Sequence, residues 1–237
     1  MPQPHPHDHD PAQQRPRVGL LLVPPHTRAA PMTDPAAWHG IDPQRLAWLI
    51  EHYTRAGDVV LDVDNHPSVA HAAHYLHRHP ATLVTEGDQQ WVQLTDVPAR
   101  AAHAAKPSPL AVSLLLAGFN GPGRDGLDLR AMTETMRQWH RLLRPGGFLL
   151  TALTPCGTEP RRVSQRSTVI TAARAAGLRY HQHLPVLLVP LPDTEPRTEV
   201  ASAAAIPAVL LDGRHLPVHL DVLAFAASTI DQESTHA

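Results

Sequence analysis

The sequence predicts an α/β fold, a largely parallel sheet with helices on both faces. Three observations carry that prediction. Short apolar runs of strand length alternate with stretches of ten to fifteen residues at helical spacing, the pattern of successive strand–helix–strand units. The run LAVSLLLAGF at 110–119 is continuous rather than alternating, as a strand buried on both faces must be. The last two apolar runs have no helical stretch between them, so they are expected to pair antiparallel.

The elements follow in order. Residues 1–16, MPQPHPHDHDPAQQRP, have hardly any apolar side chain to bury and read as a disordered tail. The folded domain is taken as 17–230, with 231–237 a polar C-terminal tail. RVGLLLVP at 17–24 is closed by Pro24 and Pro25 and reads as an edge strand, followed by a proline-rich loop to residue 41. DPQRLAWLIEHYT at 42–54 opens on Asp42 and Pro43, a helix start, and puts Leu46, Leu49, Ile50 and Tyr53 on one face before Gly57 ends it. GDVVLDVD supplies a strand, and HPSVAHAAHYLHRH a helix entered through Pro67. ATLVTEGD at 81–88 is the next strand, ending in Glu86 and Asp88. QQWVQLTDVPARAAHAAK has no clear assignment, because Pro98 interrupts any long helix.

After LAVSLLLAGF comes GPGRDG at 121–126, a flexible loop. LRAMTETMRQWHRLL at 129–143 is a helix stopped before Pro145, Gly146 and Gly147, and GGFLLTALT is the strand that follows. SQRSTVITAARAAG at 164–177 is a helix closed by Gly177. LRYHQHLPVLLVPL is a strand, 190–214 an excursion rich in proline, acid and alanine, and LPVHLDVLAFAAS at 216–228 the last strand.

Lys and Arg total 20 against 22 Asp and Glu, a net charge of -2, so bulk charge gives no attraction toward nucleic acid. The 18 histidines change that balance only in acid. The lone Cys156 excludes an intrachain disulfide, and no cationic start followed by an apolar run resembles a signal peptide; a cytoplasmic protein is expected. The apolar runs fall far short of a membrane span, so no membrane partner is expected, and nothing sets an oligomeric state.

The strand VVLD runs into a turn made of Asp64, Asn65, His66, Pro67 and Ser68. In open α/β sheets such a turn is a favoured ligand site, because the amides of the following helix point at the crevice. It usually carries glycine, which lets the backbone approach the ligand. Here it carries none.

With these elements in this order, the chain resembles the class I S-adenosylmethionine-dependent methyltransferases. More specifically, it resembles the branch that methylates amino groups of DNA bases, together with the related tRNA guanine methylases. The residues behind this are a helix running into YTRAGDVVLDVD, the acid in LVTEGD, the phrase RLLRPGGFLLTAL, the helix ending AARAAGL, and HLDVLAFAA, together spanning residues 40–228. The resemblance implies a Rossmann-like, seven-stranded methyltransferase sheet with S-adenosylmethionine as cofactor. In that family a loop of the form phenylalanine, alanine, glycine, small residue, glycine, threonine follows the strand, and its glycines fall on His66 and Ser68. By the same pattern Asp62 supports the loop, Asp64, Asn65 and His66 line the cofactor, and Glu86 holds the ribose hydroxyls. An imidazole and a pyrrolidine stand where the family leaves space, so weak or absent S-adenosylmethionine binding is expected.

The family also places an acid, asparagine or serine, then two prolines and an aromatic, after its fourth strand. Asn120 stands in for the hydrogen-bond acceptor and Pro122 for the second proline, while Gly121 and Gly123 replace the first proline and the aromatic. Stacking of a base on an aromatic is worth about 1–3 kcal/mol, so its loss weakens the grip on an extruded base. Between Glu86 and Leu110 the chain is too short for a helix, a strand and a second helix, and Asp96 reads as a turn residue before Pro98 rather than an adenine contact. The function expected is that of a divergent methyltransferase-like protein with weak or lost transfer activity and a binding or regulatory role. The alternative is an active methyltransferase acting on a base amine of nucleic acid or on a small molecule.

Other constellations carry less. His71, His74 and His77 recur every three residues without a matching cysteine or acid, so they read as a solvated helix face and no metal site is assigned. His181 and His183 share one side of a strand, and Asp221 reads as an edge acid. Cys156 has no assigned base beside it, and Arg161, Arg162 and Arg166 read as a solvated cationic face.

Overall fold

The computed structural model describes residues 17–21, 35–86, 89–95, 112–119, 128–153, 162–188, 210–211, 214–215 and 219–228. Both expected tails, the 121–126 loop, Asp96, Asn120, Pro122, Cys156 and Arg161 lie outside the described residues. The helices are α1 (Pro43–Tyr53), α2 (Pro67–Tyr75), α3 (Leu129–Leu142) and α4 (Arg162–Ala175). The strands are β1 (Arg17–Val18), β2 (Val59–Asp62), β3 (His79–Glu86), β4 (Gln89–Leu94), β5 (Val112–Phe119) and β6 (Leu143–Leu153). They continue with β7 (Leu178–Leu187), β8 (Leu210–Leu211), β9 (Arg214–His215) and β10 (His219–Ala227).

The main sheet runs β1-β7-β10-β6-β5-β2-β3-β4. The sheet has seven longer strands, one of them the unexpected β4, while the edge strand expected at 17–24 contributes the two residues of β1, parallel to β7, and an isolated bridge from Leu21 to Val186. β3, β2, β5 and β6 are mutually parallel, whereas β10 runs antiparallel to both β6 and β7, as expected from two successive apolar runs with no helical spacing between them in the sequence. β8 and β9 form a separate ribbon.

Alternation along the buried strands divides the core between two faces. On β5, Leu114 and Leu116 join Leu46, Leu49 and Ile50 of α1 and Val69 and Ala73 of α2. Leu115 and Ala117 turn the other way, onto Met132 and Met136 of α3 and Val169 and Ala172 of α4. A strand covered on both sides has little room for polar side chains, which is why β5 reads as an apolar run broken only by the buried Ser113.

Three of the differences from the sequence expectation have a local reason. α2 stops at Tyr75 because His77 takes φ +58 and the Arg78 amide returns to the Ala73 carbonyl at 2.8 Å, a left-handed cap that frees His79 to begin β3. The unassigned QQWVQL segment is β4, which folds back antiparallel on β3 with Trp91 opposite Val84. β6 begins at Leu143, before the glycine pair, and Gly146 at φ +74 absorbs the irregular register against β5.

β2 lies between β3, which follows it in sequence, and β5, which comes after the β3–β4 hairpin. The chain therefore reverses direction across the sheet at the β2–β5 gap. Ligands of open α/β sheets settle in the crevice at the carboxyl ends of the two strands flanking such a reversal. Here that crevice is bounded by Asp62 and the turn into α2 on one side and by Gly118 and Phe119 on the other.

Candidate functional site

Between Asp62 and Pro67 the chain must turn from strand to helix in four residues, and the Asp62 carboxylate organises that turn. Asp62 is buried and accepts from the Asp64 amide at 3.0 Å and the His66 amide at 2.5 Å. Burial pushes its pKa up to about 6, against the pull of those two amides. Asn65 sits at φ +52, the left-handed conformation that glycine usually supplies and that asparagine tolerates best among side chains. The missing glycine is thus replaced conformationally, at Asn65. It is not replaced sterically.

His66 is the N-cap of α2, its Nδ1 accepting from the Ser68 amide at 3.3 Å. The Val69 amide donates to the His66 carbonyl at 3.0 Å, and Pro67 has no amide to offer. Each backbone donor from His66 to Val69 is therefore satisfied within the chain. Amides that would greet an anion at a helix start are already committed. The His66 imidazole itself is held below its ordinary pKa by burial, with the His39 ring adding to the fall and Asp64 opposing it.

A segment not singled out by sequence covers the crevice from above. Trp38 and Ile41 exchange both backbone hydrogen bonds, each 2.9 Å, around His39 at φ +50 and Gly40 at φ +88. Two successive left-handed residues make the tight turn whose twist suits a hairpin, here with histidine at its first central position. That conformation costs a non-glycine residue about 1–2 kcal/mol. Trp38 and Ile41 are fully buried in the α1–α2 face of the core and hold the turn down.

At its tip, the His39 Nε2 lies 2.8 Å from Asp64 Oδ2, which also accepts from the Gly118 amide at 2.6 Å. A carboxylate oxygen offers no proton, so Nε2 is the donor. The ring rests directly on Gly118: a Cβ there would lie 1.8, 2.0 and 2.3 Å from three imidazole atoms. Ser68 Oγ donates to the Ala36 carbonyl at 2.5 Å, tying the same segment to α2.

The structure brings Asp62, Asp64, Asn65 and His66 into one turn at the crevice. Glu86 stands apart from them. The residue level with Asp62 on β3 is Thr82, and Glu86 lies four positions further on, at the β3–β4 hairpin, opposite Gln89. At 3.3 Å per residue that is about 13 Å along the strand. Asn120 and Pro122 fall outside the described residues.

Asp221 proves more than an edge acid. Its Oδ1 accepts from His183 Nε2 at 2.7 Å and its Oδ2 from Arg166 of α4 at 3.1 Å, with His219 Nε2 3.9 Å away. Burial alone would raise its pKa, but the His183 hydrogen bond and the neighbouring cations together hold it below the ordinary carboxylate value. The cluster joins α4, β7 and β10. His71, His74 and His77 are exposed, and no group of three or more metal-ligating side chains occurs among the described residues. No described helix is long and apolar enough to cross a membrane.

No family model matches the chain, and no curated protein matches it. Among solved structures it is similar to geranyl diphosphate C-methyltransferase from Streptomyces coelicolor A3(2) in complex with Mg2+, geranyl-S-thiolodiphosphate and S-adenosyl-L-homocysteine (16% identity, 80% of this chain and 77% of that one, TM-score 0.43). Others are the [4+2]-cyclase SpnF (16% identity, 82% and 83%, TM-score 0.43) and the CcbJ methyltransferase from Streptomyces caelestis (13% identity, 85% and 98%, TM-score 0.43). At such scores none of them assigns a ligand or a reaction to this chain.

Proposed function

We propose that the chain is a divergent S-adenosylmethionine-dependent methyltransferase-like protein of the nucleic-acid methylase type, with weak or lost transfer activity and a binding or regulatory role. One observation carries the reading: the crevice at the β2–β5 reversal is filled by the protein's own groups. His39 rests on Gly118, and the amides from His66 to Val69 are committed internally. The residues present do not fit the adenosyl cofactor in this arrangement. The acid expected to hold the ribose, Glu86, stands beyond the level of the turn. The element order that suggested the family remains, so the fold is read as inherited and the site as closed.

Titration calorimetry with S-adenosylmethionine and S-adenosylhomocysteine, paired with thermal unfolding, tests this. The expected result is no measurable heat and no shift in midpoint. A ligand at a hundred times its Kd would stabilise the fold by about 2.7 kcal/mol, which thermal unfolding detects readily. A dissociation constant of tens of micromolar or tighter overturns the reading in favour of a working enzyme.

A further inference from the structure

We infer that the tight turn Trp38–Ile41 is an autoinhibitory cover, whose His39 ring occupies the seat of a ligand bearing a flat heterocycle with an N–H donor. This rests on the reading of the crevice given above. The imidazole does there what such a ligand would do: it sits against a residue with no side chain, Gly118, and donates to Asp64 Oδ2 at 2.8 Å. An adenine ring, with its exocyclic amine as the donor, has the same two requirements. The three atoms nearest to the missing Cβ all belong to the imidazole, so the space over Gly118 is taken by a ring.

The cover is also held at a disadvantage. His39 adopts a left-handed backbone conformation, and the indole Nε1 of the fully buried Trp38 has no hydrogen-bond partner among the described residues. Both features oppose the closed arrangement. A closed, competing conformation reduces apparent affinity by the fraction of molecules that are open, so removing the imidazole restores the intrinsic affinity.

The test compares the wild type with His39→Gly, using S-adenosylhomocysteine and adenosine as probes in calorimetry. Glycine suits the turn better than histidine does, so the variant removes the ring while favouring the backbone conformation. A denaturant unfolding curve checks that the fold is retained. The expected result is binding at least about tenfold tighter than wild type, the gain that follows if the closed form is nine-tenths populated. Adding Gly118→Ala to His39→Gly then abolishes the gain by placing a methyl group on the floor. If wild type and His39→Gly both bind nothing while both fold, the cover is refuted and the reading of a disabled site stands. If wild type already binds as tightly as His39→Gly, the cover and that reading both fall.

Discussion

Replacing Trp38 by alanine is expected to lower the stability of the fold by about 3–5 kcal/mol, the usual cost of deleting a large buried aromatic. For a chain of this size that corresponds to a fall of roughly 10 °C in the unfolding midpoint. The side chain is fully buried on the α1–α2 face, in the same cluster as Leu46, Val69 and Leu116. It therefore joins the turn to a helix on each side and to the central strand. Its loss opens a void bounded by three elements, and the two-residue turn is too short to collapse into it. Trp38→Phe distinguishes ring from donor. Phenylalanine gives up some buried area but also removes an indole N–H that has no partner among the described residues, and a buried donor without one costs about 1–3 kcal/mol. The two effects oppose each other, so this variant is expected to stay within about 1 kcal/mol of wild type. Denaturant unfolding of the two variants beside wild type checks both expectations.

A pH-dependent loss of stability is expected from Asp62. Its carboxyl is raised from 3.8 to about 6 in the folded chain because burial disfavours the charged form more than the Asp64 and His66 amides favour it. The folded state therefore binds this proton more tightly than the unfolded state. The contribution to stability is fully present below pH 3.8 and is lost as pH rises through about 6. At 1.36 kcal/mol per pKa unit the loss reaches up to about 3 kcal/mol. Asp62→Asn isolates it, since asparagine does not titrate and any other effect of the substitution is a pH-independent offset. Unfolding free energies of the two proteins, measured in parallel from pH 4 to pH 7, are expected to move in the variant's favour as pH rises. A constant difference across that range contradicts the assignment.

Much of the fold was legible because its strongest signals are periodic. The continuous run of β5 and the one-faced spacing of α1 each reflect how many sides of an element the core covers, and a sequence records that directly. The antiparallel β10 was legible because the sequence shows no helical spacing between the last two long apolar runs. Boundaries were less legible where a single residue adopts an uncommon conformation. His77 ends α2 through a left-handed cap that histidine does not advertise. β4 was missed because QQWVQL neither alternates strictly nor carries a turn signal of its own, and its pairing with β3 decides its conformation.

At the site, the sequence located the turn from Asp62 to Ser68 and the missing glycine, with His66 and Pro67 standing where the family leaves space. In the structure His66 caps α2 and Pro67 is exposed. The group that lies on the crevice floor comes from His39, on a segment that reads only as proline-rich loop. A signal was present in Trp38-His39-Gly40-Ile41, where a polar residue and a glycine stand between two large apolar side chains, the pattern of a tight hairpin turn. Its position over Gly118 is a tertiary fact that spacing does not encode. Asp221 was underestimated for the same reason, because its partners Arg166 and His183 lie on different elements.

The central claim is that His39 fills the space above Gly118. Its most direct test is the stability cost of Gly118→Ala measured twice, once in the wild type and once in the His39→Gly background. Because a methyl group at Gly118 meets the imidazole at 1.8 Å, the substitution is expected to cost about 1–3 kcal/mol when the ring is present and close to nothing when it is gone. An equal cost in both backgrounds would mean that the ring is elsewhere, and the account of a self-filled crevice would be contradicted.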